Sequence, residues 1–202
     1  IKEAFPKILK AVCTALEWDF GEIWVFDQQE NVLRNAEIWH MSSLKIPKFI
    51  AVTKQIAFSP QIGLPGRILA SAKPLWVEDI TLDTNFPRAS VAAKEDLHGA
   101  FGFPIISGSE ILGTVSFLSH EVREPDNDVL SMISAIGRQV GVFIKNKMVE
   151  SDLCESEKRF RGIFEQAAVG IIHVDSNGQF LKANKRFCEI TGYTDKEILG
   201  CT

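Results

Sequence analysis

The sequence has few cysteines, a single tyrosine and no long apolar run. Its four cysteines, Cys13, Cys154, Cys188 and Cys201, are scattered through 202 residues without a CxxC pair. That spacing gives neither a structural zinc site nor a disulfide-stapled domain, so reduced thiols are expected. No apolar stretch approaches the roughly 18 residues needed to cross a bilayer, and Ile1-Lys2-Glu3 does not open a signal peptide. The formal net charge is −4, so nothing favours a nucleic-acid backbone or an anionic membrane surface. Repeats and low-complexity tracts are also missing. The expectation is a cytoplasmic piece of a longer protein, with no nucleic-acid partner and no membrane segment of its own.

What is present is ordinary for a globular chain: 46% hydrophobic and 24% charged residues, and length for one large domain or two small ones. Apolar residues at helical spacing predict a helix over 2–16. EIWVFD (22–27) and VLRNAEIWH (32–40) read as a hairpin around a polar turn. A short helix is expected near 47–56, another over 63–73 with Pro65 in its first turn, a strand over 74–80, a loop over 81–88 and a short helix over 89–97. Residues 98–119 read as two strands joined at 107–110. Pro125-Asp126 opens a long helix whose apolar stripe fades after Met148. A second unit starts near Phe160, with a hairpin over 169–184 turning at Ser176-Asn177-Gly178 and a helix from Lys185.

FLSHEVREP (117–125) has the look of a histidine-kinase phospho-acceptor box, but that box needs helix on both sides of its histidine. ILGTVSFLS upstream of His120 is strand chemistry, and Asp126 stands where the box has an apolar residue. His120 is therefore placed at a strand end or in the loop before the long helix.

The element order predicts an α+β domain, an antiparallel sheet with flanking helices. GLPGRILASAKPLWVEDI, HGAFGFPIISGSEILGTVSFLS and REPDNDVLSMISAIGRQVGVFI together resemble a GAF domain of bacterial signalling proteins over residues 1–148. RFRGIFEQAAVGIIHVDSNGQFLKANKRFCEITGYTDKEILG (159–200) is similar to the N-terminal part of a PAS domain. Residues 149–159 form a helical linker, and 160–202 supply two of the usual five PAS strands, leaving an unpaired edge. The resemblance implies a non-catalytic sensory and dimerisation module of a two-component type of signalling protein. Its output domain, of histidine-kinase kind, would lie outside the chain.

The resemblance also implies a small-ligand pocket, for which Trp24, Phe26, Trp39, Trp76, His98, Phe101 and Phe103 are the candidates; the same aromatics at strand spacing also suit a plain core. The cofactor is unknown. Covalent bilin is not expected, because no cysteine lies between Cys13 and Cys154. The alternatives are a ligand-free dimerisation scaffold, a haem site using His98 as axial ligand, and a cysteine-dependent reductase, which the cysteine placement argues against. A phosphate at the helix opening Leu64-Pro65-Gly66, with Arg67 as counter-charge, is a further option. No metal site is expected. Ile133, Ile136, Val140 and Phe143 alternate by three and four, and predict a homodimer seam on the long helix, assisted by the first helix.

Overall fold

The chain separates into two compact units, Ile1–Lys147 and Met148–Thr202. The computed structural model describes residues 4–176 and 178–198, apart from the side chains of residues 127, 133, 134, 148, 151, 152, 195 and 196. Cys201 and the central turn residue Asn177 thus lie outside the described residues.

The first unit is built on a six-stranded antiparallel sheet in the order β3-β2-β1-β6-β5-β4. The strands are β1 (Phe20–Asp27), β2 (Val32–His40), β3 (Ala57–Phe58), β4 (Leu75–Val77), β5 (Ala100–Ser107) and β6 (Glu110–Leu118). The helices are α1 (Phe5–Leu16), α2 (Pro47–Gln55), α3 (Gly63–Ser71) and α4 (Ala89–Lys94), followed by the 40-residue α5 (Asn127–Gln166). This is the expected α+β architecture, with differences at element ends. β1 starts at Phe20, two residues early. β4 is shorter than 74–80, because the Asp79 carboxylate accepts from the Thr81 amide and hydroxyl and turns the chain. α4 stops at Lys94, and Asp96 takes a left-handed φ of 58°.

Strand alternation divides the interior. Ile23 on β1 shares its face with Phe101, Phe103, Val115 and Phe117, and these form one core with Phe5, Leu9 and Cys13 of α1. Phe5, Leu9 and Cys13 are spaced by four, so they lie on one stripe of α1. α5 joins the same core through Val140 and Ile144. Its approach needs Gly141, where a Cβ would stand 2.0 Å from the Ile106 carbonyl oxygen. α5 begins where the Asp126 carboxylate accepts the Asp128 and Val129 amides, an N-terminal cap.

Phe20 lies in a second core with Phe49 of α2, Leu64 and Ile68 of α3, Phe86 and Leu97. Trp24, Leu33 and Phe58 form a third. The functional candidates separate along this division.

In the second unit, β7 (Ile172–Val174) and β8 (Phe180–Ala183) form an antiparallel hairpin, followed by α6 (Lys185–Thr191) and α7 (Asp195–Ile198). Asn184 holds it together. Its Oδ1 accepts the Ile171 and Phe187 amides, and its Nδ2 donates to the Phe164 and Val169 carbonyls. Residues 149–159 lie within α5.

Candidate functional site: a caged arginine

Arg88 is the last residue before α4, and its side chain is 1% exposed. Its Nη1 and Nη2 donate to the two carboxylate oxygens of Glu22, both at 2.7 Å, and Nη1 also donates to Thr53 Oγ1 at 2.6 Å. The guanidinium stands 4.5 Å from the Phe49 ring centroid, 5.3 Å from Phe58 and Phe86, and 5.5 Å from Trp24. Burying an ion pair is expensive unless its geometry is good and its remaining polar atoms are satisfied. The two-pronged contact and the four rings meet the first condition.

The loop ahead of Arg88 is fixed by its own hydrogen bonds. Asn85 Oδ1 accepts the Gly63 amide, and its Nδ2 donates to the Gln61 carbonyl. Arg67 forms an ion pair with Asp83, and its Nε donates to the Gly63 carbonyl. The Arg67 charge expected to counter a phosphate at the start of α3 is therefore engaged by Asp83.

The second condition is not met. Trp24 Nε1, Arg88 Nε, Thr114 Oγ1 and Ser116 Oγ are buried without a hydrogen-bond partner. They belong together by register, since Trp24 faces Thr114 and β1 places Glu22 opposite Ser116. Buried polar groups are normally paired. Here two N–H donors and two hydroxyls are left over beside one ion pair. Such a set suits a water or a small molecule rich in acceptor oxygens.

The seven aromatic and histidine candidates do not line one cavity. Trp24 forms part of the cage, and Phe26 packs nearby against the Trp24–Leu33–Phe58 cluster. Trp39, Trp76, Phe101 and Phe103 lie on the opposite, α1-facing side of the sheet. Trp76 stacks on Phe101 with centroids 5.3 Å apart, and its indole N–H donates to the Arg123 carbonyl. His98 Nδ1 is 3.2 Å from both Asp79 carboxylate oxygens, and its Nε2 faces Asp96 at 3.5 Å. Both ring nitrogens thus meet the chain's own acids. The Asp79 carboxyl feels an upward push from burial, but the Thr81 and His98 hydrogen bonds hold it below the ordinary value.

The predicted seam on α5 also needs correcting. Val140 is buried and Ile136 packs against the same core, so both serve the sheet. Phe143 is exposed, and the side chain of Ile133 lies outside the described residues.

Sequence reasoning missed Glu22 and Arg88. A detectable signal was Glu22 itself, a charge between Phe20 and Trp24 on the inward face of an apolar strand. Arg88 had none, because it sits in a loop.

A groove of about 600 Å³ opens on the α1 side, lined by Cys13, Trp18, Trp39, Met41, His120 and Arg123 among others. Asp19 Oδ2 accepts from Ser119 Oγ, the His120 amide and His120 Nδ1, the last at 2.6 Å. This assigns His120 a structural partner in the loop after β6. Burial, with the Asp19 charge adding to it, pushes the Cys13 thiol up to about 12, so this cysteine supplies no thiolate at neutral pH. Among the described residues, no group of three or more His, Cys, Asp or Glu could hold a metal ion, and no helix is long and apolar enough to cross a membrane.

A curled antiparallel sheet with helices packed on it, enclosing buried polar groups, defines the class of the first unit as an α+β domain. The GAF domain family matches residues 1–145, and the chain belongs to it; the PAS domain family matches residues 158–202. A methyl sulfide methyltransferase-associated sensor of Methanosarcina acetivorans is 30% identical over 111 residues, 54% of this chain and 11% of that protein. The sensor histidine kinase TmoS of Ectopseudomonas mendocina is 29% identical over 83 residues, 40% of this chain and 8% of that protein. The matches thus span about a tenth of these relatives' length. Among solved structures, the GAF domain of a phosphoenolpyruvate-protein phosphotransferase from Coxiella burnetii superposes with a TM-score of 0.63 at 17% identity, covering 75% of this chain and 86% of that one. A free methionine-R-sulfoxide reductase from Neisseria meningitidis gives 0.56 at 11% identity, covering 69% and 75%. These likenesses show the fold. GAF and PAS domains are sensory domains of signalling proteins, and this chain carries one followed by part of the other.

Proposed function

We propose that the first unit is a non-catalytic sensory module whose ligand site is the interior around Arg88. Its ligand is a small molecule presenting oxygen acceptors, and occupancy is passed along α5 to the PAS part and to a catalytic output domain elsewhere in the protein. The observation that carries this reading is the group of unpartnered buried polar atoms beside the Arg88–Glu22 pair. A ligand accepting from Arg88 Nε and Trp24 Nε1 would repair a deficit that the protein alone leaves open. Contacts made in one state of the module and not in another would then shift its conformational balance.

The cysteine-dependent reductase reading loses support. Cys13 is the only cysteine in residues 1–147, and its thiol is buried and protonated. The ligand-free scaffold has an observation in its favour, since the cage is already closed by the chain's own guanidinium and rings.

Native mass spectrometry of the purified chain, set beside its denatured mass, separates the two. A reproducible extra mass that is lost on denaturation, and lost from Arg88→Met while that variant stays folded, supports the sensory site. Parent protein at its bare mass supports the scaffold and removes the ligand.

A further inference from the structure

The groove on the α1 side has a charge pattern that the fold does not use up. It opens where the C-terminal end of α1 meets the segments leaving β2 and β6, and its volume of about 600 Å³ is that of a small-molecule site. Trp18, Trp39 and Met41 give it apolar walls. Three carboxylates line it, Glu17, Asp19 and Glu121, against two basic groups, His120 and Arg123. Both basic groups are already engaged. Arg123 Nη1 donates to the Leu16 carbonyl at 3.3 Å, and its Nη2 donates to the Glu17 carbonyl at 2.7 Å and to the Glu121 carboxylate at 3.2 Å. The same guanidinium lies 4.9 Å from the Trp18 ring centroid. His120 turns its Nδ1 to Asp19. The carboxylates are not all engaged. Asp19 is only 8% exposed, yet its three donors, Ser119 Oγ, the His120 amide and His120 Nδ1, all meet Oδ2. Among the described residues nothing donates to Asp19 Oδ1, and the Glu17 carboxylate has neither a hydrogen bond nor an ion pair. A largely buried carboxylate oxygen without a donor is a costly arrangement.

We propose that this groove is a second ligand site of the first unit and takes a small organic cation, a primary ammonium on an apolar carbon body. The ammonium donates to Asp19 Oδ1, and the Glu17 carboxylate adds its attraction. The carbon body lies against Trp39 and Met41, whose thioether adapts to varied shapes, and an aromatic wall itself attracts a cation. The C-terminal end of α1 carries the negative end of the helix dipole, which favours the same sign of ligand. An anion would meet the carboxylates while Arg123 is held by its own partners. A neutral alcohol could donate to Oδ1 but would leave the excess negative charge unanswered. A bare metal ion finds no group of three ligands among the described residues. The groove lies on the α1-facing side of the sheet, so the proposal is independent of what the Arg88 interior binds.

The test is an NMR titration of the full 202-residue chain, labelled with nitrogen-15, with 2-phenylethylammonium as the probe. The chain has four tryptophans, and their indole N–H signals place the binding. Trp18 and Trp39 line the groove, whereas Trp24 belongs to the Arg88 cage. The expected result is a saturable shift of the Trp18 and Trp39 signals, half complete at about 1 mM or below, with Trp24 unmoved. The isosteric alcohol 2-phenylethanol and the anion 3-phenylpropionate should bind at least about tenfold more weakly, the loss expected for a hydrogen bond without its charge. Asp19→Asn keeps the shape of the carboxylate and removes its charge. Thr14→Arg adds a cation at an exposed position of α1 on the groove wall, and so tests the same point should Asp19→Asn fail to fold. Each variant that retains the parent's spread of indole signals should lose at least about tenfold in affinity for the amine. No saturable shift, a shift confined to Trp24, equal binding of the alcohol or the acid, or a folded Thr14→Arg that binds as well as the parent overturns the proposal.

Discussion

The two units bury their polar groups in opposite ways. In the first, an arginine and a glutamate are sealed inside a large aromatic core, Arg88 at 1% and Glu22 at 0% exposure. In the second, Ile172, Val174, Leu181, Ile190 and Tyr193 stay exposed, and one asparagine makes four hydrogen bonds to the backbone of the segments around it. The first unit can carry a costly polar interior because the surrounding apolar burial outweighs it. The second depends on a local polar node. Damage should therefore act on one unit at a time and by different physics.

The largest expected effect is in the first unit. Arg88→Ala leaves Glu22 charged and unpaired in an apolar cage, which costs about 3–5 kcal/mol. Urea unfolding followed by tryptophan emission measures it. Arg88→Met with Glu22→Leu removes both charges and should recover most of that loss, since a well-packed apolar pair often replaces a buried ion pair without penalty. A single variant costing under about 1 kcal/mol, less than breaking a buried pair requires, would mean that water reaches Glu22.

Asn184→Ala sharpens the other side. It strips a helix cap and leaves buried peptide groups unpaired, for about 2 kcal/mol of local stability. Hydrogen exchange should rise over residues 171–187 while the tryptophan-reported midpoint stays fixed. If that midpoint moves with it, the two units do not unfold independently.

The sequence carries the element order and both family resemblances, because alternation, capping and turn residues are local signals. The Asp126 cap and the 107–110 turn are readable in this way. The site is not, for two reasons. Trp24, Trp39, Trp76 and Phe101 all sit at strand spacing, but which of them share a face depends on register between strands, and β2 shifts against β1 at Ile23/Trp24. The Arg88–Glu22 pair spans 66 residues, a separation over which no periodicity speaks. The α5 seam fails for a related reason. A 3.5-residue stripe exists on either flank of the helix, and only packing decides that Ile136 and Val140 belong to the sheet, which leaves Met132, Val142 and Val149 outside.

The smallest expected effect concerns the joint between α1 and the loop after β6. The hydrogen bond to Asp19 raises the His120 imidazole, against a downward push from burial, and the Asp19, Glu121 and Asp96 charges add to the rise. Burial pushes the Asp19 carboxyl up, but hydrogen bonds from His120 and Ser119 hold it below the ordinary value. A raised histidine contributes stability that is complete below the ordinary imidazole value, ~6.5, and is lost as pH rises through the raised one. A lowered carboxylate contributes stability that is complete above its ordinary value, ~3.9, and is lost as pH falls through the lowered one. The pair is therefore strongest between about pH 4 and pH 6.5. His120 is half exposed, with Glu17, Glu121 and Arg123 beside it in the groove, so solvent screening limits the contribution to about 1 kcal/mol at most. Thermal unfolding of the parent should lose that increment, relative to His120→Gln, as pH rises above about 6.5, and salt at about 0.5 M should shrink the difference. Parallel pH profiles for the two proteins would show that the Asp19 contact holds equally well with a neutral imidazole, leaving Ser119 and the His120 amide to hold the joint.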